Sequence, residues 1–409
     1  MKNNQIHTII KDLDFIRTGG SEEELRAAVY LRDVCLTLGA VSFVEPFEVE
    51  MAEMRSARFS LAGKEIPCKG YLCCGSGSVE APLVYLPNTD PVSLRCVRGR
   101  IVLLDTGMSY WVFHDLIENG AVGFVTWDGN VRYADRDIDQ KELRSYVSCG
   151  KKLPGVCVNA KDVPFLVKNA GKTARIEVDQ REYAGTSRNV VAEIPGKTDE
   201  WIVLTAHYDS TWLSHGAYDN LSGCIGLMEI LEDLHKDAPH RYGLRFIFCG
   251  SEERGLLGSK AYVASHEPEL DRIALNINLD MIGTWMGKLI AVVSAEDALV
   301  SYIRYFAAEM DRGISARKGV YSSDSTPFAD KGVPAVSFAR IAPQEQAEIH
   351  NRYDTRELLS EKQLRSDGEF LAAFTRRMAD AGKCPVRREI PEKVRGDLDI
   401  YLNRKRKDE

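Results

Sequence analysis

Six residues between positions 207 and 350 have the types and the order expected of a dinuclear metal site: His207, Asp219, Glu252, Glu253, Asp280 and His350. Each is expected where a predicted strand ends or a helix begins, the edge at which α/β sheets carry their chemistry. Taken singly, each has an ordinary explanation as a surface histidine, a helix cap or a surface acid. Imidazole and carboxylate groups together are ligands that Zn²⁺ accepts, so the ordered set predicts a metal site.

The first histidine ends an apolar stretch, WIVLTAHYDS. Side chains two residues apart lie on the same side of a strand, so we expect Asp209 to face His207 and to fix its tautomer. Asp219 follows in GAYDNLSG at the start of a predicted helix. It could be a simple N-cap or a carboxylate that bridges two metal ions.

An acidic pair follows another apolar strand in GLRFIFCGSEERGLLGS. Two carboxylates in this position repel each other and cost desolvation unless a cation compensates them. A surface pair favoured by a helix N-terminus is the alternative. Adjacent side chains point in different directions, so Glu252 and Glu253 can have different roles.

The remaining positions lie farther along the chain. Asp280 ends the apolar stretch IALNINLD, where an unpaired aspartate is rare. His350 lies in IHNRYDT, and Asp354 just beyond it is expected to cap a helix. Ser323 and Asp324, in YSSDSTPF, precede a further strand and could orient His350.

Ligand counting assigns a role to each residue. A zinc ion in a two-metal site needs about three protein ligands besides shared water. One ion could bind His207, Asp219 and Asp280, and the other Asp219, Glu253 and His350, so that Asp219 bridges. Glu252 is left as the general base. We predict two Zn²⁺, with Co²⁺ or Mn²⁺ as alternatives, about 3.5–4 Å apart.

The elements that must position these residues alternate between strand and helix after residue 187. Strands are predicted at 189–193, 200–206, 242–249, 274–280, 288–293 and 335–339, and helices at 221–236, 255–264, 296–312 and 361–381. This alternation predicts an α/β fold in three layers, with a mixed, mostly parallel sheet flanked by helices.

The earlier part of the chain has a different texture. Residues 5–40 predict two helices, and Ser21 with Glu24 predicts a capping box at the second. Short β-rich runs follow at 82–86, 99–104, 122–127 and 155–158, with one helix at 109–119. We predict a catalytic domain of residues 1–56 and 184–383, a small β-rich domain of residues 57–183 inserted in it, and a charged C-terminal tail, 384–409, that is solvated or helical.

Composition narrows the class of protein. The 409 residues are 44% hydrophobic and 28% charged with a net charge of −7, so neither nucleic acid nor a membrane is an expected partner. No apolar run reaches the about 18–20 residues of a spanning helix, and the N-terminus lacks the apolar stretch of a signal peptide. Ten irregularly spaced cysteines predict reduced thiols. We expect a cytoplasmic protein of undetermined oligomeric state.

The motifs HYD, AYDNLSG, SEERGLLGS, NLDM, SDSTPF and IHNRYDT resemble the successive motifs of the co-catalytic dizinc aminopeptidase family, which includes the bacterial leucyl aminopeptidases. The resemblance is strong over 187–382 and implies the zinc exopeptidase fold. It also implies Glu252 as base, Glu253 as ligand and a cis peptide after Asp219. The insertion, with VRGRIVLLDTG and LIENGAVGFVTWD, is similar to a protease-associated domain.

Two positions depart from the family pattern. Ile349 precedes the last histidine, where some relatives have a tyrosine whose hydroxyl can stabilise the oxyanion. Ser325 stands where relatives often have a larger residue, which leaves the shape of the substrate pocket open.

The predicted function is zinc-dependent exopeptidase, most simply an aminopeptidase that hydrolyses N-terminal residues from short peptides by a dizinc-bound water with Glu252 as base. A metallocarboxypeptidase or dipeptidase on the same metal core is the alternative, for which Arg340 or Arg352 would have to bind the substrate carboxylate. A non-catalytic, receptor-like module would require lost ligands, and the sequence retains the full set. The residue preference at the scissile bond is left open.

Overall fold

The computed structural model describes residues 3–129, 138–343 and 346–407. The chain divides into two compact units, one made of Met1–Glu48 and Thr186–Glu409 and the other of Val49–Gly185. Two long strands, Val41–Leu61 and Thr173–Ile194, run across the two boundaries along the chain. The change of texture near residue 55 that set the predicted boundary therefore falls inside a continuous strand.

The first unit contains a mixed sheet. Its strands, in spatial order, are Ser315–Lys318, Lys288–Ser294, Ala335–Ile341, Ile273–Leu279, Trp201–His207, Gly243–Cys249 and the last residues of Thr173–Ile194. Four of the neighbouring pairs are parallel, and the pairs at 288–294 with 335–341 and at 243–249 with 190–194 are antiparallel. The predicted α/β class with a mixed, mostly parallel sheet is confirmed.

Helices cover this sheet on both faces. They are Asn3–Asp12, Glu22–Thr37, Ser222–His235, Leu257–Ser265, Asp297–Glu309, Ser325–Asp330, Glu361–Ala379 and Glu392–Tyr401, with 3₁₀ turns at Glu267–Arg272 and Arg356–Leu358. In the strand Trp201–His207, Ile202 and Leu204 belong to one buried apolar cluster and Val203 belongs to another. Alternate residues of a strand point to opposite faces, so both faces are buried, as the continuous apolar stretch predicts.

The C-terminal segment, predicted to be a charged tail that is solvated or helical, forms the helix Glu392–Tyr401. Ile390, Val394 and Leu398 recur every four residues and are buried against Ala329 and Ala335. This spacing produces an apolar stripe on one side of a helix. The high charge of the segment hides that stripe in the sequence.

The second unit has its own sheet and core. Its strands include Lys64–Ile66, Cys68–Gly70, Gly77–Leu86, Ile101–Leu104, Gly123–Asp128 and Gly155–Asn159, and its helices are Tyr110–Glu118, Ser145–Ser148 and Val163–Lys168, with 3₁₀ turns at Ser93–Cys96 and Ala160–Asp162. The strands 77–86, 101–104, 123–128 and 155–159 are mutually parallel. Phe59, Phe113 and Phe124 are fully buried in its core.

Two further observations bear on the environment of the protein. Within the described ranges, no helix has both the length and the apolar character needed to span a membrane. The ten cysteines are free thiols, and seven of them are buried.

Candidate metal centre

Three of the predicted site residues lie at or just beyond the carboxyl ends of three neighbouring strands. His207 is the last residue of Trp201–His207, Asp280 directly follows Ile273–Leu279, and Glu252 comes three residues after Gly243–Cys249. The strand 201–207 pairs in parallel with both of the others, so the three ends meet at one edge of the sheet. Open α/β sheets bind ligands at this edge.

One group of potential ligands is formed by His207, Asp219 and Asp280. His207 Nε2 lies 3.1 Å from Asp219 Oδ1 and 3.7 Å from Asp280 Oδ1. All three residues are buried, and one ligand atom from each lies within 4.8 Å of the others. Ligands bound at about 2.0–2.2 Å to a tetrahedral zinc ion are about 3.4 Å apart, so the spacing suits this ion.

A second group shares Asp219 with the first. Asp219 Oδ2 lies 3.0 Å from His350 Nε2, which lies 3.2 Å from Glu253 Oε2. The His350 side chain is 49% exposed, whereas that of Glu253 is 7% exposed. The second group is therefore reached from solvent on the His350 side.

The turn Ala217–Leu221 holds Asp219 in a non-helical conformation just before the helix Ser222–His235. Its Asp219–Asn220 peptide is cis, as the family resemblance implied. The backbone N–H groups of Tyr218 and Asp219 donate to the two carboxylate oxygens of Asp354, at 2.7 and 3.0 Å. Asp354 is buried and holds this turn, so the prediction that it caps a helix is wrong.

Asn220 connects the Asp219 turn to the strand end that carries Asp280. Its side-chain amide donates to Leu279 O at 2.9 Å, and its side-chain oxygen accepts from Met281 N at 3.0 Å. The backbone on both sides of Asp280 is thus fixed to the residue that follows Asp219. Sequence reasoning missed this role, although Asn220 stands in the AYDNLSG motif.

Asp209 contacts two parts of the site. One carboxylate oxygen lies 3.5 Å from His207 Nδ1, on the side of the ring away from Asp219. The same carboxylate accepts from the backbone N–H groups of Glu252, at 2.9 Å, and Glu253, at 3.2 Å. Asp209 therefore faces the imidazole, as its spacing predicted, and also holds the turn that bears the acidic pair, which its spacing did not reveal.

Glu252 lies beside the two groups of potential ligands and belongs to neither. Its Oε2 is 4.0 Å from His207 Nε2, and its side chain is 11% exposed. Its neighbour Glu253 belongs to the second group. The turn thus separates the two carboxylates, as the difference in direction of adjacent side chains predicts.

The cluster requires positive charge. Burial, together with the nearby Glu253 carboxylate, raises the pKa of Glu252 well above its usual value although His207 opposes the shift. Burial opposes protonation of His207, but Glu252 and Asp209 raise the pKa of that imidazole well above 6.5. Asp280 Oδ1 and Glu253 Oε1 are buried without a hydrogen-bond partner among the described residues. A bound cation would satisfy these oxygens and offset the repulsion between carboxylates.

Ser323 and Asp324 were predicted to orient His350, but their described contacts are with other residues. Ser323 Oγ accepts from Asn278 at 2.9 Å, and burial raises the pKa of Asp324 to about 7, opposed by the nearby His207. Within the part of the chain that the structure describes, no hydrogen bond or ion pair joins either residue to His350. Ser325 is buried, and its hydroxyl lies 2.7 Å from that of Ser337.

The fold and this site define an α/β protein with two adjoining groups of imidazole and carboxylate ligands at the carboxyl edge of its sheet. Residues 189–375 match the family model described as Peptidase family M28. This match confirms the family resemblance over the part of the chain that carries the proposed ligands. The match does not extend to the inserted unit, whose similarity to a protease-associated domain stays a prediction.

Three similar proteins illustrate the relationship. Aminopeptidase YwaD from Bacillus subtilis is 32% identical over 234 residues, which are 54% of this chain and 50% of that protein. The structure of BSAP, a zinc aminopeptidase from Bacillus subtilis, covers 96% of this chain and 98% of its own at 25% identity and a TM-score of 0.77. The aminopeptidase from Aneurinibacillus sp. strain AM-1 has a TM-score of 0.78 at 22% identity, covering 94% of this chain and 96% of its own. The sequence alignment with YwaD thus spans half of that relative's length.

Proposed function

We propose that this protein is a zinc-dependent exopeptidase, and specifically an aminopeptidase. The observation that carries the proposal is the pair of ligand groups that share Asp219, with Glu252 beside them. The M28 match over 189–375 and the similarity to proteins named aminopeptidases support it.

The proposed cofactor is a pair of Zn²⁺ ions, with Co²⁺ or Mn²⁺ as substitutes. His207, Asp219 and Asp280 would hold one ion, and Asp219, Glu253 and His350 the other. When bound, the ions would polarise the scissile carbonyl and lower the pKa of water to about 7. Two imidazoles and three carboxylates are a donor set that suits zinc.

Glu252 is the proposed general base. It would take a proton from the attacking water and deliver it to the amine that leaves. Asp209 would hold both His207 and the backbone of the Glu252 turn, so that base and ligand keep a fixed distance. Peptides would enter from the solvent-exposed side at His350. The neighbouring carboxylates there would attract the free amine of a peptide and repel its C-terminal carboxylate.

The carboxypeptidase alternative lacks a free arginine at Arg340. The Arg340 guanidinium makes two hydrogen bonds to Asp367, at 2.7 and 2.6 Å, and a third to Gly287 O at 2.8 Å. Its donors are thereby engaged within the protein. Arg352 is exposed two residues beyond His350, and it remains the candidate for the carboxypeptidase alternative.

The inserted unit and the cellular location are also proposed from indirect support. Val49–Gly185 contains none of the proposed ligands, and we propose that it is a protease-associated-like domain that affects peptide access and not the chemistry. Ten free thiols favour a reducing compartment, which supports a cytoplasmic location.

The test compares aminoacyl anilides, free short peptides and the same peptides with blocked N-termini. We expect hydrolysis of the first two and none of the blocked peptides, whereas release of C-terminal residues from blocked peptides would support the carboxypeptidase. Glu252→Gln should retain zinc and lower kcat by about 10²–10⁴-fold. Its matched control, Glu253→Gln, should lower the zinc content. The opposite pattern would exchange the roles of the two residues.

A further inference from the structure

The segment 13–21, between the first two helices, lies against the loop 208–216 of the metal centre. Arg17 N donates to Ser210 Oγ at 3.1 Å, and Ser210 N donates back to Arg17 O at 3.2 Å. Asp14 Oδ1 lies 2.7 Å from His215 Nδ1. The loop 208–216 connects His207 to Asp219, which are two ligands of the first group. The segment 13–21 therefore contacts the loop that joins these two ligands.

The Arg17 guanidinium spans the loop. Its Nε donates to Tyr208 O at 2.6 Å and its Nη2 to Gly216 O at 2.9 Å, and Nη1 donates to His215 O. Tyr208 directly follows His207, and Gly216 is three residues before Asp219. One rigid group thus binds both ends of the loop.

The same guanidinium is anchored on its own segment. Nη1 also donates to Leu13 O at 3.0 Å and to Phe15 O at 3.1 Å. Arg17 has no exposed surface, and burial lowers its pKa below the usual 12.5 although nearby Cys224, Asp209 and Asp354 oppose the shift. A planar guanidinium has five N–H donors in a fixed fork, whereas a lysine ammonium has three. Lysine therefore cannot reproduce this set of bonds.

The backbone of Gly216 leaves no space for a side chain beside Arg17 and Asp219. Its φ of +55° is in the left-handed region, and a Cβ added there would lie 2.6 Å from Asp219 O and 3.2 Å from Arg17 Nη2. A side chain at this position would displace either the guanidinium or the Asp219 turn. The loop is therefore closed tightly between the arginine and the residue shared by the two ligand groups.

We propose that Arg17 is a positioning residue of the metal centre, which fixes the distance between His207 and Asp219 by holding both ends of the loop 208–216. The inference rests on the proposed zinc function. It assigns to the N-terminal segment a role in metal affinity and in the geometry of the ligands, beyond its contribution to folding.

The test uses the full chain as wild type, Arg17→Lys, Ser210→Ala and the control Arg32→Lys, in which a partly exposed arginine bonded to its neighbour Asp33 is changed. Measurements are the zinc content, the Kd of each zinc ion by chelator competition, the visible spectrum of the Co²⁺-loaded protein, the Tm, and kcat and KM on an aminoacyl anilide. We expect Arg17→Lys to weaken zinc binding about 10–100-fold, to change the Co²⁺ spectrum and to lower kcat more than KM changes. Ser210→Ala should weaken binding about threefold, and the control should stay within about twofold of wild type.

The outcomes separate this inference from the proposed function. A folded Arg17→Lys protein with wild-type zinc affinity and Co²⁺ spectrum would overturn the positioning role, even with a lower Tm. If Arg17→Lys does not fold, Ser210→Ala decides, and wild-type zinc affinity and spectrum there would overturn the role. A wild-type protein that binds no zinc would instead contradict the proposed function, and this inference with it.

Discussion

Replacing Asp209 by asparagine should damage the site through two contacts at once. The carboxylate accepts from Glu252 N and Glu253 N while it faces His207 Nδ1 at 3.5 Å, and Asp209 has no exposed surface. An asparagine has one side-chain oxygen, so one of the two backbone N–H groups would face an NH₂ group. A buried donor without a partner costs about 1–3 kcal/mol.

Two magnitudes follow for Asp209→Asn. The metal-free protein should lose about 1–3 kcal/mol of unfolding free energy, which is a factor of about 5–150 in the unfolding equilibrium. Zinc affinity should fall about 10–100-fold because His207 loses the carboxylate that orients it. Chemical denaturation after chelation measures the first quantity, and chelator competition the second.

The matched control for this prediction is Asp271→Asn. Asp271 pairs with Arg388 on the surface, where its side chain is 93% exposed, so we expect a change within about 0.5 kcal/mol and unaltered zinc affinity. If Asp209→Asn matched this control in both measurements, the reasoning about the Asp209 carboxylate would be refuted.

Three further changes have defined outcomes. Gly19→Ala places a Cβ 2.8 Å from Ser251 Cα, so it should displace the Glu252 turn and lower kcat on an aminoacyl anilide, and wild-type kcat would contradict this. Burial raises the pKa of Glu24 to about 8. The free energy of unfolding should therefore decline, by up to about 1.4 kcal/mol per pH unit, as the pH rises from the pKa of Glu24 in the unfolded chain to about 8. Glu24→Gln should remove this decline, and an unchanged pH slope in the variant would contradict the raised pKa of Glu24. Ala62 N donates to Thr173 O at 2.9 Å, so a short linker can replace residues 63–172. We expect this replacement to alter KM and the peptide-length preference while hydrolysis of an aminoacyl anilide is partly retained. Unchanged kinetics across peptide lengths would argue against a role of the inserted unit in peptide access.

The proximity of His207 and Asp280 was predictable from the sequence because each lies at or just beyond the end of an apolar stretch. His207 and Asp280 mark the ends of buried parallel strands, and adjacency in the sheet follows from strand–helix alternation. The same logic does not identify Arg17 or Asp354, whose partners are backbone groups on other loops. Such contacts depend on the path of loops, which has no periodic signal.

Local sequence patterns predicted the capping box and the C-terminal helix only in part. Ser21 accepts from Glu24 N as a capping box requires, but the Glu24 carboxylate accepts from Gly20 N and from Ser187 Oγ. The Glu24 side chain therefore makes a tertiary contact with Ser187 in place of the hydrogen bond to Ser21 N that a capping box contains. In the C-terminal segment, the four-residue spacing of Ile390, Val394 and Leu398 was a usable signal that high charge density obscured.

Zinc content of wild-type and Asp219→Ala protein tests the central proposal most directly. Both proteins would be stripped with a chelator, reloaded with Zn²⁺, dialysed and analysed for metal per chain and for hydrolysis of an aminoacyl anilide. Because both ligand groups contain Asp219, the wild type should bind two ions, and the variant should lose both together with activity. Two bound ions or full activity in Asp219→Ala would contradict the shared ligand and with it the proposed dinuclear centre.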